Sequence, residues 1–138
     1  MAEKKLNVVH ESGKRKRAIA RATVRKGKGL VKINKIPLET YSNNILKLRI
    51  KEPIAIAGNS AKNLNIDVNV FGGGVSAQAE AARLAIAKAI IEYTKSSELK
   101  QKYIEYDRNL LVADTRYKEV RKPMTHSKAR RKRQLSFR

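Results

Sequence analysis

The chain has 138 residues, 41% of them hydrophobic, and a formal net charge of +20 at pH 7. This length suits one domain with a modest core, and the hydrophobic fraction excludes a wholly disordered chain. The absence of cysteine excludes disulfides, thiol catalysis and cysteine-ligated zinc, and it favours a cytoplasmic location. No long apolar run follows the first residues, so we expect neither a signal peptide nor a membrane span.

The positive charge is concentrated at the two ends of the chain. Residues 1–35 carry a net charge of +10 and residues 115–138 carry +9, whereas residues 36–114 carry only +1. Two cationic ends around a nearly neutral middle favour a polyanionic partner over a charge that serves solubility alone. We therefore predict a globular domain over residues 1–113 and an extended basic tail over residues 114–138, both of which contact RNA.

Basic residues accompany the first strands that the pattern predicts. Residues 1–9 are expected to form a frayed start or an edge strand, and a basic run, Gly13–Arg17, follows them. Over Ala18–Arg25, small apolar residues alternate with a set that includes two arginines, which predicts a strand with one buried and one basic face. The glycines of Lys26–Gly29 predict a hairpin turn before a returning strand over Leu30–Ile36.

The middle of the chain predicts helices on either side of a strand. Apolar residues at positions 38, 41, 45 and 48 follow helical spacing, which predicts a helix over 38–51 that Pro53 ends. Residues 63–70 alternate strictly between apolar and polar side chains and predict a strand. A long alanine-rich helix is expected over 76–95 with Ser76 as its N-cap, and a shorter helix over 97–106.

Three consecutive glycines, Gly72, Gly73 and Gly74, stand immediately before the long predicted helix. A glycine loop at a helix N-terminus presents backbone N–H groups and suits a phosphate. The segment matches neither the P-loop nor the GxGxxG pattern, and no lysine follows within the loop. From the residues alone three uses stay open: a tight strand-to-helix turn, a contact with an RNA phosphate, or nucleotide binding.

No group of residues predicts catalysis or metal binding. His10 and His126 lie at opposite ends of the chain, and the acidic residues lack the spacing of an acid–base pair. We expect no enzyme activity, no cofactor and no small-molecule substrate. A DNA-architectural protein is an alternative, but no long predicted helix is basic. A phosphotransferase is another, but the glycine loop has no lysine.

Seven segments, taken in order, resemble the family of protein nine of the small ribosomal subunit, and in particular its archaeal and eukaryotic branch. They are Gly13–Ala18, Arg25–Gly29, Val31–Asn34, Phe71–Gly74 with Gln78 and Ala79, Leu110–Arg116, Lys128–Arg131 and Ser136–Arg138. Three positions depart from the pattern of that branch. Pro123–Lys128 replaces a Gly-Gly-Pro-Gly turn, Phe137 replaces the frequent tyrosine, and Lys35 replaces the glycine usual after Asn34.

The resemblance implies an α+β fold with a mixed four-stranded sheet, helices on one face, a left-handed βαβ crossover and a long extended basic C-terminal tail. Domain two of protein five of the same subunit is similar. The resemblance also implies a structural protein without catalytic activity that binds ribosomal RNA in the subunit head and acts in translation on the cytoplasmic ribosome. Its implied partners are small-subunit ribosomal RNA, peptidyl-site transfer RNA, whose anticodon stem-loop the tail reaches, and neighbouring head proteins.

The predicted ribosomal-RNA contacts come from three parts of the chain. They are Lys14, Arg15, Lys16, Arg17, Arg21, Arg25, Lys26 and Lys28 in the N-terminal part, Gly72, Gly73 and Gly74 in the loop, and Arg116, Arg121, Lys122, Lys128, Arg130, Arg131, Lys132 and Arg133 in the tail. By matching position, the resemblance places Lys128, Arg130, Arg131 and Arg133 along an RNA tunnel. It also makes Arg138 the terminal transfer-RNA contact, supported by Ser136 and Phe137.

Overall fold

The computed structural model of the chain describes residues 8–41 and 43–130. Its elements in chain order are β1 (Val8–Arg15), β2 (Ala18–Lys26), β3 (Val31–Ile33), β4 (Ile36–Pro37), α1 (Asn44–Ala57), α2 (Asn59–Lys62), β5 (Leu64–Phe71), α3 (Val75–Thr94) and α4 (Ser97–Tyr106). Single 3-10 turns cover Leu38–Thr40 and Arg108–Leu110. The fold is therefore of the α+β class, as predicted.

The strands form one mixed sheet in the order β1-β2-β5-β3-β4. β2 runs antiparallel to both β1 and β5, and β3 runs parallel to β5. Over residues 8–41 and 43–130 the sheet has five strands where four were predicted, because residues 30–36 do not form a single strand. Asn34 and Lys35 take positive φ angles of 48° and 69°, which turns the chain back into the two-residue strand β4.

The predicted hairpin through Lys26–Gly29 is wrong, because β5 lies between β2 and β3. The connection instead crosses the start of β5. There the Asn65 side-chain oxygen accepts hydrogen bonds from the backbone N–H groups of Lys28 (2.9 Å) and Leu30 (3.2 Å). A Cβ at Gly27 would lie 2.0 Å from the Asn65 side chain. Glycine at this position therefore allows the connection to pass close to β5.

The alternating patterns of β2 and β5 are confirmed. The even-numbered residues of both strands, from Ala18 to Val24 and from Leu64 to Val70, are buried, and together they supply the floor of the core. Helix α3 packs on this side of the sheet with a face made largely of alanine. Small side chains let the helix approach closely: a Cβ at Gly13 of β1 would lie 2.2 Å from the carbonyl oxygen of Ala81.

Helix α1 differs from the predicted helix in its bounds and in its buried face. Asn43 caps it, since its side-chain oxygen accepts hydrogen bonds from the N–H groups of Ile45 (3.1 Å) and Leu46 (3.3 Å). Ile45 and Leu48, expected to face inward, are 72% and 65% exposed. The buried stripe follows the later apolar residues and consists of Leu46, Ile50, Pro53 and Ala57.

Pro53 lies inside α1 and does not end it. A proline at this position removes one backbone hydrogen bond of the helix, so the surrounding contacts must hold the helix together. Tyr103 of α4 provides one of them, because its fully buried side chain donates a hydrogen bond to the Pro53 carbonyl oxygen at 2.6 Å. This hydrogen bond joins α4 to α1 at the proline, where α1 lacks a backbone hydrogen bond of its own.

Candidate nucleic-acid interface

The tight turn between β1 and β2 carries two of the predicted RNA contacts, Lys16 and Arg17. Lys16 has a φ of 53°, so the turn presents two successive cationic side chains at the end of the sheet. Strands β1 and β2 pair up to this turn, from Val8 opposite Arg25 to Arg15 opposite Ala18. The sheet thus holds the turn in place from both sides.

Arg15, also a predicted RNA contact, faces the helical side of the sheet and binds carboxylates. Its side chain is only 19% exposed. Its Nε donates to Glu80 of α3 at 2.7 Å, and its Nη2 lies 3.4 Å from an Asp114 oxygen. Arg49 of α1 donates to the other Glu80 oxygen at 2.7 Å. This position therefore ties β1, α1, α3 and the start of the predicted tail together.

The start of the predicted tail is held by Asp114. The Arg116 guanidinium and its backbone N–H donate hydrogen bonds to this carboxylate, the shortest at 2.7 Å. These bonds, with the nearby charge of Arg15, hold the pKa of Asp114 well below its usual range. The roles of Glu80 and Asp114 were not predicted from the sequence. These acidic residues are far apart in the chain, so no local spacing indicated that they share an arginine.

The glycine loop packs against the basic turn. Gly72 and Gly73 have positive φ angles of 75° and 65°, and a Cβ at either would lie under 3.0 Å from the backbone of Arg17 or Ala18. The tight strand-to-helix turn, one of the three uses left open, is thus present. Gly74 is the N-cap of α3, and as a glycine it has no side chain with which to cap the helix.

Ser76 lies inside α3, so its predicted role as the N-cap is wrong. The chain already takes the helical conformation at Val75, because the turn is completed by the positive φ of the glycines before it. The N–H groups of the first turn of a long helix, which carry the positive end of its dipole, consequently lie beside the glycine loop.

Three parts of the chain meet at a cavity of about 560 Å³ beside this loop. The basic turn contributes Lys16 and Arg17, the loop contributes Gly73 and Gly74, and residues 117–121 form the remaining wall with Arg121. Five predicted RNA contacts that are separated in sequence are therefore close in space. Cationic side chains beside an uncapped helix N-terminus form an arrangement that suits a phosphate group.

The other predicted contacts of β2 lie elsewhere on the sheet. Arg21 and Arg25 project from the face opposite α3, where Arg25 pairs with Asp67 and the Arg21 guanidinium lies 5.4 Å from the centre of the Phe71 ring. Lys26 and Lys28 lie at the far end of β2, about 26 Å from the basic turn at about 3.3 Å per residue. They do not line the cavity.

The described part of the tail is partly folded on itself. Residues 113–122 form no helix or strand, and a compact turn follows in which the Lys122 N–H donates to the Lys128 carbonyl at 3.2 Å. Arg130 donates to Glu119 at 3.2 Å, and this bond lowers the pKa of Glu119. The side chains of Arg121, Lys122, Lys128 and Arg130 are exposed.

Three non-glycine residues of this turn have positive φ angles: Met124 (64°), His126 (50°) and Ser127 (61°). Such angles are unfavourable for residues with a Cβ. They occur in Pro123–Lys128, the segment that replaces the Gly-Gly-Pro-Gly turn of the archaeal and eukaryotic branch. The predicted contacts Arg131, Lys132, Arg133, Ser136, Phe137 and Arg138 lie outside the described residues.

Within the described ranges, no helix is both long and apolar enough to cross a membrane. Over residues 8–41 and 43–130, no three His, Cys, Asp or Glu side chains are grouped as a metal site would require. Among the described residues, the structure brings together the cationic cluster beside the glycine loop and a set of ion pairs, most of them between arginines and carboxylates.

A model of the family described as ribosomal protein S9/S16 matches residues 13–138. Three archaeal proteins, each named small ribosomal subunit protein uS9, are similar to the chain. The one from Methanococcus maripaludis strain C7 is 47% identical over 134 residues, which cover 96% of this chain and 100% of the relative. The one from Picrophilus torridus is 53% identical over 126 residues, covering 91% and 94%. The one from Methanothrix thermoacetophila is 47% identical over 117 residues, covering 85% and 89%.

Proposed function

Because the chain belongs to the ribosomal protein S9/S16 family, we propose that it is a structural, non-catalytic constituent of the small ribosomal subunit that binds ribosomal RNA in the subunit head. The observation that carries the proposal is the cluster of Lys16, Arg17 and Arg121 around the uncapped N-terminus of α3. Its partners are the ribosomal RNA and neighbouring head proteins, and its location is the ribosome in the cytoplasm.

Charge pairing divides several of the predicted RNA contacts into two groups. Arg15, Arg25 and Arg116 are paired with carboxylates of the same chain, which reduces the charge they offer to a phosphate. Among the described residues no ion pair involves Lys16, Arg17 or the lysines at 26 and 28. These four side chains are exposed, so they supply the phosphate contacts of the domain in our proposal.

Neutralising the basic turn tests the ribosomal-RNA contact. In Lys16→Gln/Arg17→Gln, affinity for a transcript of the small-subunit head RNA should fall about tenfold. The slope of log affinity against log salt should become shallower by about 1.5, since each lost phosphate contact removes about 0.7–0.9. Binding titrations over a series of salt concentrations measure both quantities.

The matched control removes the same charge from α4, where Lys100 and Lys102 are exposed and distant from the glycine loop. Lys100→Gln/Lys102→Gln should leave the salt slope nearly unchanged. Equal slopes for the two double variants would refute the assignment of the basic turn to RNA.

We further propose that the tail reaches peptidyl-site transfer RNA with its last residues, Ser136, Phe137 and Arg138. The charge of the final segment supports this, because Arg131, Lys132 and Arg133 precede the tip and no acidic residue follows Glu119. Ordering an extended arm costs about 1–2 kcal/mol per residue, which closely spaced charge-assisted phosphate contacts of about 1.5–3 kcal/mol each offset. The tail is therefore expected to become ordered on RNA.

Deleting Leu135–Arg138 should leave subunit assembly largely intact and weaken retention of transfer RNA in the peptidyl site, because only the tip is lost. Retention on purified subunits measures the effect. A control that replaces these residues with an equal number of serines preserves chain length, and it should lose retention to the same extent. Unchanged retention and decoding in the deletion variant would contradict the tip assignment.

Two finer features of the expected fold stay predictions. One is a left-handed βαβ crossover within the sheet. The other is the division into a domain over residues 1–113 and an extended basic C-terminal tail over residues 114–138. The ion pair between Arg15 and Asp114 joins the first residue of the tail to the domain, so we expect the extended part to begin after it.

A further inference from the structure

Two exposed aromatic rings with cations over them lie near the end of the sheet that carries the basic turn. Phe71 projects from the sheet face opposite α3, whereas Tyr117 lies beside the glycine loop, where it lines the cavity. The Arg21 guanidinium lies 5.4 Å from the centre of the Phe71 ring, and the Lys14 ammonium lies 5.8 Å from the centre of the Tyr117 ring. Phe71 is 46% exposed, although the buried core lies one residue away on the same strand. Neither ring is needed to fill the core.

The strand residues among them lie in one region of the face opposite α3. Lys14 of β1 is directly opposite Ile19 of β2, and Ile19 is directly opposite Phe71 of β5. Adjacent strands are about 4.8 Å apart, so the row from Lys14 to Phe71 spans about 10 Å. We name Lys14, Ile19, Arg21, Phe71 and Tyr117 the aromatic platform.

The aromatic platform adjoins the cationic cluster described above. Phe71 immediately precedes the glycine loop, and the basic turn follows Lys14 by two residues. A single-stranded RNA lying across this end of the sheet would meet Phe71 on the sheet face, Tyr117 beside the glycine loop, and the cationic side chains of the basic turn. Aromatic side chains that stack on bases and cations that contact phosphates are the two features with which proteins bind unpaired nucleotides.

We propose that the aromatic platform binds unpaired nucleotides of the RNA, with bases stacked on Phe71 and Tyr117. This proposal rests on the proposed function, that the chain binds ribosomal RNA. It specifies in addition that the aromatic platform accepts unpaired RNA. A duplex keeps its base faces inside the stack and offers the rings nothing to contact. The platform residues are cationic, aromatic or aliphatic. Two acidic residues lie near them, and both are paired with cations of the same chain: Asp67 with Arg25, and Glu119 with Arg130 and Lys122.

A head protein is the alternative occupant of an exposed aromatic surface, and charge argues against it. Lys14 and Arg21 each lie over an aromatic ring, so a protein that covered the platform would have to bury two cations. Burying a charge without a carboxylate partner is costly, whereas a nucleic acid brings a phosphate with every base.

The test compares the full chain with Phe71→Leu and Tyr117→Leu, using a short unpaired oligoribonucleotide and an RNA duplex of matched length. Each variant should bind the unpaired RNA roughly tenfold more weakly, because a stacking surface is lost. Affinity for the duplex and the salt slope should not change, because no charge is removed. Tyr106→Leu is the matched control, since this ring is exposed on α4 away from the platform, and it should bind both RNAs as the parent chain does.

Ultraviolet crosslinking of the chain within the assembled subunit supplies an independent readout. Phe71 or Tyr117 joined to an unpaired base supports the proposal, and a crosslink of either to another protein overturns it. Equal affinities of all three variants for the unpaired RNA also overturn it, while leaving the ribosomal-RNA function intact if the parent chain binds the head transcript. Failure of the parent chain to bind that transcript would refute the proposed function itself.

Discussion

Gly13→Ala is expected to lower the free energy of unfolding by about 3 kcal/mol, near the upper end of the range for overpacked cores. The added Cβ would lie 2.2 Å from the Ala81 carbonyl oxygen and 2.7 Å from the Ala85 nitrogen, which are backbone atoms of α3. A side chain can rotate away from such a contact, but a helix backbone can relieve it only by moving as a whole. The substitution therefore separates α3 from the sheet.

Urea unfolding of the purified chain measures this effect, and Ser12→Ala on the same strand is its control. Ser12 projects from the opposite, exposed face, so its replacement should change stability by no more than about 0.5 kcal/mol. Alanine also restricts the unfolded chain more than glycine does, which favours folding by about 0.4–1 kcal/mol. If Gly13→Ala matched Ser12→Ala, the close contact between β1 and α3 would be disproved.

Tyr103→Ala should cost about 3–5 kcal/mol, the range for removing a large buried aromatic side chain. Tyr103 is fully buried between α4 and α1, and it donates the hydrogen bond to the Pro53 carbonyl. Tyr103→Phe keeps the ring and removes only that bond, so it should cost about 1 kcal/mol. Tyr106→Ala on the exposed face of α4 should be nearly neutral. Thermal and urea unfolding of the three variants separate the contribution of packing from that of the hydrogen bond.

The pH dependence of stability gives a second readout for Tyr103. Burial raises the pKa of its hydroxyl above the ordinary value of 10.0. The stability contributed by the neutral side chain is therefore fully present below about pH 10 and is lost as the pH rises further. Tyr103→Phe removes this titration, so its stability should fall less steeply between pH 10 and 12. An equally steep fall in both proteins would show that Tyr103 does not titrate on unfolding.

Elements with an uninterrupted local pattern were predicted well. β2, β5, α3 and α4 lie where alternation or helical spacing placed them, because each buries one regular face against the same core. The buried face of α1 was missed, since the stripe of Leu46, Ile50, Pro53 and Ala57 lies on a different side of the helix from Ile45 and Leu48, two of the four positions that suggested the helix. Pro53 was taken as a stop because the contact that supports it, from Tyr103, is fifty residues away in sequence.

Separate parts of the candidate site were predicted from the sequence, but their contact with one another was not. The basic turn and the glycine loop were each recognised from local residue types, yet their contact follows from the pairing of Ile19 with Phe71. No local signal specifies that pairing, because the glycines before Leu30 are equally compatible with a hairpin. The carboxylate partner of Arg15 was missed for the same reason, as Glu80 lies 65 residues further along the chain.

The position of β5 between β2 and β3 has a consequence for synthesis of the chain. β2 gains its second neighbour only when residues 64–71 have been made, so a nascent chain that ends at residue 63 holds an unfinished sheet. Pairings between strands distant in sequence form late, since the intervening chain must be ordered first. The glycine loop and the first turn of α3 follow β5 directly. The basic turn therefore acquires the glycine loop and the start of α3 in the same step that completes the sheet, and the cationic cluster is completed later, when Arg121 has been made.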